Sequence, residues 1–217
     1  MRIAYVLLTC EKYINTRVPW QLETSLSRVP REDIYYLGHT MDEAKRIFHW
    51  GAGDDYHSLP VKMLHMFQNM SFDSYDWIFI ADDDTYIVTD RLPALLAPYD
   101  PSQCVSMGKV LDHINYEYFE YYSGGAGTIL TIALFNKVQA HVRVCPFPII
   151  HWCADICLGK WLIDIAATTS VHTQNNNDFH TEYYRPMVDS LETAITFHHL
   201  KEWHQYDELK SLLYTPC

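Results

Sequence analysis

The sequence predicts an α/β fold built on an open sheet. Three observations carry the prediction. Apolar runs of strand length alternate with helix-periodic segments through the first hundred residues. The run Trp77-Ile78-Phe79-Ile80-Ala81 is short and continuously apolar, as a buried strand should be. That run then stops on three carboxylates, Asp82, Asp83 and Asp84.

Residues 2 to 9 read as a buried strand, 16 to 28 as a helix, 33 to 38 as a second strand and 41 to 48 as a short helix. Ser58-Leu59-Pro60 opens the next helix, since proline suits a first helical turn, and Met63, Met66, Phe67 and Met70 recur along one face as core packing. After the triplet, Thr85 to Val88 is extended sequence. The second half is less regular: a strand at 103 to 109, a glycine turn at 124 to 127 and helices at 129 to 140 and 153 to 166. A strand at 193 to 198 and a last helix at 203 to 214 follow. No repeat or linker interrupts the chain, so residues 1 to 217 read as a single domain.

A hydrophobic share of 48% over 217 residues supports a folded core. The net charge of -11 repels polyanions and excludes nucleic acid as the main partner. Residues 2 to 8 are too short, and too soon followed by Glu11 and Lys12, to be a secretory signal peptide. Val144 to Ala167 is broken by His151, Asp155, Lys160 and Asp164, which rules against a membrane span there. The six cysteines are scattered through apolar segments and read as buried thiols. Cys153 and Cys157, four apart with no second pair at zinc-ligand spacing, read as core packing on a helix face.

In an open α/β sheet, ligands bind beyond the carboxyl ends of the strands, so Thr9-Cys10-Glu11 and Asp82 to Asp84 should share one edge. Three carboxylates on a rigid strand repel one another, and burying them unpaired costs several kcal/mol per ion. A hard divalent cation, Mg²⁺ or Mn²⁺, is the natural counter-charge. A solvated acidic turn capping the next helix is the bland alternative. A Mg²⁺-dependent phosphotransferase or phosphatase using an aspartyl nucleophile is another, although Tyr86 stands where such enzymes want Thr or Val.

Five segments in order resemble the Fringe-like glycosyltransferases, the inverting family thirty-one group of β-1,3-galactosyl-, N-acetylglucosaminyl- and core 1 galactosyltransferases. Asp54-Asp55-Tyr56-His57-Ser58-Leu59-Pro60-Val61-Lys62 is similar to the family's Asp-x-Tyr-x-Asn-Leu-Thr-x-Lys segment, with Ser58 and Pro60 as departures. Trp77 to Tyr86 resembles its Asp-Asp-Asp strand, and Ser123-Gly124-Gly125-Ala126-Gly127 its glycine turn. Asp155-Ile156-Cys157-Leu158-Gly159 resembles its Asp-Val-x-x-Gly helix start, and Thr196-Phe197-His198-His199 its late Phe-His strand.

The resemblance implies a single GT-A type domain, a Rossmann-like mixed sheet flanked by helices. Its nucleotide-binding half would be residues 1 to about 100, and its acceptor and catalytic half 101 to 217. It implies a nucleotide-sugar donor, usually a UDP-sugar, a glycan or glycoprotein acceptor, and Mn²⁺ with Mg²⁺ as the alternative ion. By the same resemblance Asp82, Asp84 and His198 hold the metal. Thr9, Arg17, Asp54, Lys62, Asp82, Asp83, Gly124 and Gly125 meet the donor. His199 would point to the opposite face of a regular strand and not bind.

Asp155 is the candidate base, because inversion in one step needs a carboxylate beside the acceptor hydroxyl, and a helix N-terminus would aim it. The family commonly has two acidic residues here, whereas Ala154 precedes Asp155 in this chain. Tyr116, Tyr118, Tyr121 and Tyr122 are candidates to stack on an acceptor sugar. The chain is expected to be soluble, cytoplasmic as given or a catalytic domain excised from a longer protein. A non-catalytic sugar-nucleotide binding protein on the same fold is the remaining alternative.

Overall fold

The computed structural model describes residues 1–112, 119–181 and 191–214. The chain begins with β1 (Ile3–Leu8), α1 (Arg17–Glu23), β2 (Ile34–Leu37), β3 (Ile47–Phe48), α2 (Leu59–Asn69) and β4 (Trp77–Asp82). Next come β5 (Tyr86–Ile87), α3 (Leu92–Leu96), β6 (Val105–Gly108), β7 (Val110–Asp112), β8 (Glu120–Tyr122) and β9 (Thr128–Thr131). The order closes with α4 (Ile132–Val144), α5 (Ala154–Ala166), β10 (His172–Asn175), β11 (Phe179–His180), β12 (Thr196–Phe197) and α6 (Trp203–Tyr214).

Seven strands form the central sheet in the order β10-β6-β9-β4-β1-β2-β3. β1 runs parallel to both neighbours, β2 and β4, while β9 pairs antiparallel with β4 and β6, so the sheet is mixed. Both faces are covered, which explains why β1, and β4 as far as Ala81, are apolar at every position rather than at alternate ones. Ala4, Val6, Leu8, Ile78 and Ile80 pack under α2, α4 and α5, whereas Tyr5, Leu7, Trp77 and Phe79 pack with Val18 of α1 and Leu92 and Leu96 of α3. The methionine stripe of α2 is core, as expected. Beside it, the Phe67 ring stacks on Phe135 at 4.7 Å and meets Trp161 edge-on at 5.7 Å.

Four local expectations are corrected. Residues 41 to 48 are not a helix: Asp42 and Ile47 close a tight turn by two backbone hydrogen bonds, and Ile47-Phe48 joins the sheet as β3. The expected helix from 129 begins only at Ile132, because Thr128 to Thr131 is strand β9 and the Thr131 hydroxyl caps α4 by accepting from Leu134 N. The first helix stops at Glu23 rather than 28, where Thr24 and Ser27 hydroxyls bond back to the carbonyls of Trp20 and Thr24. Of the five described cysteines, all free, only Cys157 is buried; Cys153 is the N-cap of α5 and not part of a packed helix face.

A three-stranded sheet, β11-β12-β5, lies beside the main one and packs with α6 through Tyr86, Phe197, Tyr206 and Leu209. No described helix is long and apolar enough to cross a membrane.

Candidate active site

Leu8 and Asp82 are partners across parallel β1 and β4, so the two strands release Thr9 and the acidic triplet at the same sheet edge, as expected. The Asp83 N–H donates to Leu8 O at 3.0 Å, continuing the ladder one residue past the strand.

The three carboxylates meet three different environments. Asp83 is buried and accepts hydrogen bonds from Thr9 Oγ1 and Arg17 Nη1, each at 2.7 Å. Arg17 in turn lies over the Tyr13 ring at 3.6 Å. Thr9 and Arg17, expected to meet the nucleotide, are thus held on Asp83 while still lining the cavity above it. Burial pushes the Asp83 carboxyl up against the pull of Arg17 and Thr9.

Asp84 is also buried, with Oδ1 3.1 Å from His198 Nε2 and Oδ2 3.4 Å from Arg17 Nη1; Lys201 Nζ completes its pairing. Burial opposes its charge, yet the hydrogen bond and charge of His198, with Lys201 and Arg17, hold it well below the usual carboxylate range. Asp82 points at His198 Nε2 from 3.9 Å. Burial and the adjacent Asp84 charge push Asp82 up to about 7. For His198, burial works downward and Asp84 and Asp82 win, raising its pKa.

His198 reaches the triplet because β12 pairs antiparallel with β5, setting Phe197 opposite Tyr86 just beyond the acidic turn. Its Nδ1–H donates to Thr181 O at 2.7 Å, which fixes the tautomer and turns Nε2 towards the carboxylates. Ligand atoms from Asp82, Asp84 and His198 all lie within 4.8 Å of one another. Two carboxylate oxygens and one oriented imidazole are a donor set that suits Mn²⁺. His199 does not turn away as a regular strand would require. The strand ends at Phe197, His199 has φ 63°, and its ring sits 4.0 Å from that of His198 on the same cavity wall.

The glycine turn makes room for the chain's own side chains. A Cβ on Gly125 would stand 2.1 Å from the His198 ring, and one on Gly124 3.1 Å from Asp155 Cβ. Only Gly127 uses positive φ, at 95°. Thr85 Oγ1 donates to Gly125 O and Thr196 Oγ1 to Ala126 O, both at 2.6 Å, so the residue before β5 and the first residue of β12 hold the turn from two sides.

Asp155 sits in the first turn of α5, where Oδ1 accepts from Ile156 N at 2.9 Å and Oδ2 from Gly124 N at 3.2 Å. Burial raises its pKa, and these backbone N–H groups pull the other way. Lys62 is buried at 3% exposure, its Nζ donating to Thr9 O at 2.8 Å and to Asp54 Oδ1 at 3.3 Å. Asp54 also accepts from Glu11 N at 3.0 Å, so the pair braces the exit of β1.

Two cavities adjoin. One of about 370 Å³ holds Thr9, Arg17, Lys62 and the triplet; one of about 120 Å³ holds Gly124, Gly125 and Asp155. Tyr56, Asp82 and His198 line both. Of the tyrosines proposed for stacking, Tyr116 and Tyr118 lie outside the described residues. Tyr122 is spent in the core, its hydroxyl bonded to Ser106 at 3.0 Å, and Tyr121 lines a separate apolar cavity against α5. Sequence reading missed Lys201, Gln21 and Tyr206. Gln21 Nε2 donates to Thr85 O at 2.9 Å and Tyr206 OH to Asp83 O at 3.0 Å, pinning the acidic turn from beneath.

A family model described as Fringe-like matches residues 2–210. Human chondroitin sulfate glucuronyltransferase is 35% identical over 91 residues, 42% of this chain and 12% of that protein. Glycoprotein-N-acetylgalactosamine 3-beta-galactosyltransferase 1 of Xenopus laevis is 27% identical over 161 residues, 71% of this chain and 41% of its own. Human beta-1,3-glucosyltransferase is 24% identical over 209 residues, covering 90% of this chain and 39% of the relative. The chain spans less than half the length of these relatives. Among solved structures, the galactosyltransferase LgtC with donor and acceptor sugar analogues superposes with a TM-score of 0.55 at 11% identity, covering 100% of this chain and 98% of the other. A glycosyltransferase involved in glycosylation of the major capsid of PBCV-1 gives 0.54 at 9% identity over 94% and 98%.

Proposed function

This chain belongs to the Fringe-like family and has a GT-A type fold, and on that premise we propose that it is an inverting, metal-dependent glycosyltransferase using a nucleotide diphosphate sugar, a UDP-sugar by preference. The observation that carries the reading is the shared wall: Asp82 and His198 border both the cavity of the acidic triplet and the cavity of Asp155. A donor held over the triplet therefore presents its sugar towards Asp155.

Asp82, Asp84 and His198 would hold the ion, Mn²⁺ or Mg²⁺. When bound, such an ion supplies positive charge against the departing diphosphate. Asp155 accepts the proton of an acceptor hydroxyl as that oxygen bonds to the anomeric carbon and the carbon's bond to the diphosphate oxygen breaks. For an α-linked D-sugar donor the product is a β-linkage to a glycan or glycoprotein. The raised pKa of Asp155 suits this task, since a base with a pKa nearer the working pH holds the proton more firmly.

Thr9, Arg17 and Asp83 act as one unit that shapes the donor cavity, while Lys62 and Asp54 fix its rim. Gly124 and Gly125 line the sugar end. Family membership weighs against the phosphomonoester reading of the triplet. A thermal-shift screen of nucleoside diphosphates with and without Mn²⁺ tests the proposal. Stabilisation by UDP that needs Mn²⁺ and is lost in Asp84→Ala is expected; no metal-dependent stabilisation by any nucleotide overturns it.

A further inference from the structure

Beside the two cavities stands an aromatic group that the reaction as described does not use. Trp152 immediately precedes the cap of α5, three residues ahead of Asp155, and is 49% exposed. Tyr56 opens the short 3-10 turn before α2 and is 59% exposed. Their ring centroids are 5.6 Å apart; His57 meets Trp152 edge-on at 5.4 Å and His151 stacks on it at 5.1 Å. Two helix starts from distant parts of the chain thus bring four rings together at the mouth of the site.

A single exposed aromatic is ordinary, whereas a contiguous exposed aromatic patch marks a binding surface. Tyr56 lines both cavities, so the group is continuous with the volume that holds Asp155. Flat apolar faces with a polar imidazole rim match one ligand shape well: a pyranose ring, which carries C–H groups on its faces and hydroxyls round its edge.

We infer that Trp152 and Tyr56 form the acceptor subsite, on which a pyranose ring stacks with one hydroxyl directed at Asp155. This rests on the glycosyltransferase reading for its role, though not for its existence as a sugar-binding surface. Trp152 is a positioning residue in this scheme, since it touches the acceptor ring and no reacting atom.

Saturation-transfer NMR with methyl and octyl β-pyranosides of glucose, galactose and their N-acetylated counterparts tests binding without any turnover. The expected result is transfer to ring C–H protons of at least one glycoside in wild type, loss in Trp152→Ala and retention in Trp152→Phe. No ring transfer in wild type, equal transfer in Trp152→Ala, or transfer to the octyl chain alone overturns the inference. With an active donor and acceptor pair, Trp152→Ala should raise the acceptor KM at least tenfold while the donor KM moves less than twofold, and Trp152→Phe should restore most of the loss. An unchanged acceptor KM overturns the subsite and leaves the enzyme reading intact. Ring binding without turnover by any sugar nucleotide overturns the enzyme reading and leaves the subsite.

Discussion

At the scale of single residues, the site sets carboxylates apart by giving each a different neighbour. Asp84 sits among cations, Asp83 is locked by Arg17 and Thr9, and the half-buried Asp155 accepts from backbone N–H groups with His151 as its nearby counter-charge. The last is the exposed flank of the design, energetically speaking, because a raised carboxyl pKa means the folded state holds its proton more tightly than the unfolded state does. Between the unfolded and folded pKa values, rising pH therefore removes stability. Activity through Asp155 runs the other way and is lost as pH falls through its raised pKa. Asp155→Asn is expected to lower kcat by about 10²- to 10⁴-fold while leaving the melting temperature equal or higher at neutral pH. Steady-state kinetics and a pH series of thermal melts on the two proteins check both halves.

The candidate site residues were legible because five short segments stand in the order of one family's motifs; taken alone, only the strand ending on three acids asked for a counter-charge. Their partners were not. Nothing near Arg17 in sequence announces that it lies against Asp83, and Lys201 reads in isolation as an ordinary solvated lysine. Both facts arise from packing between segments far apart in the chain.

At the scale of elements, legibility followed length as well as burial. β1, β4, α2 and α5 are the segments packed deepest, and their periodicity was plain. The pieces that failed are short: the edge strand β3, the four-residue interior strand β9 and the turn after α1. Residues 41 to 48 carry a helix-like mixture, yet pairing of Ile47 with Tyr36 outweighs that weak preference. The boundary at Thr131 fell on the wrong side because Thr128, Ile129 and Thr131 are β-branched and finish a strand before the helix begins. Thr131 joins both elements: its hydroxyl accepts from Leu134 N at the helix start and donates to Gln103 O at 2.7 Å. Thr131→Ala should cost about 1 kcal/mol of stability, read as a lower denaturant midpoint with an unchanged slope.

At the scale of the whole molecule, one core face joins α2, α4 and α5 to the sheet, and these are the elements that aim Tyr56 and Asp155. Phe67 is fully buried at their meeting point. Phe67→Ala is expected to destabilise the protein by about 3–5 kcal/mol, measured by urea unfolding. Asp155 should then lose its register with the triplet before the protein melts, seen as a falling kcat with metal-dependent UDP binding kept.

The triplet belongs to the first half of the chain, and its closing partners arrive late: the contact between Lys201 and Asp84 spans 117 positions. Loop closure over such a distance forms slowly relative to local structure. During biosynthesis the acidic strand is therefore complete long before the histidine that finishes the cluster has emerged from the ribosome. Until then the three acids have Arg17 as their main counter-charge, and binding of the proposed ion would report the moment at which synthesis and folding are both finished.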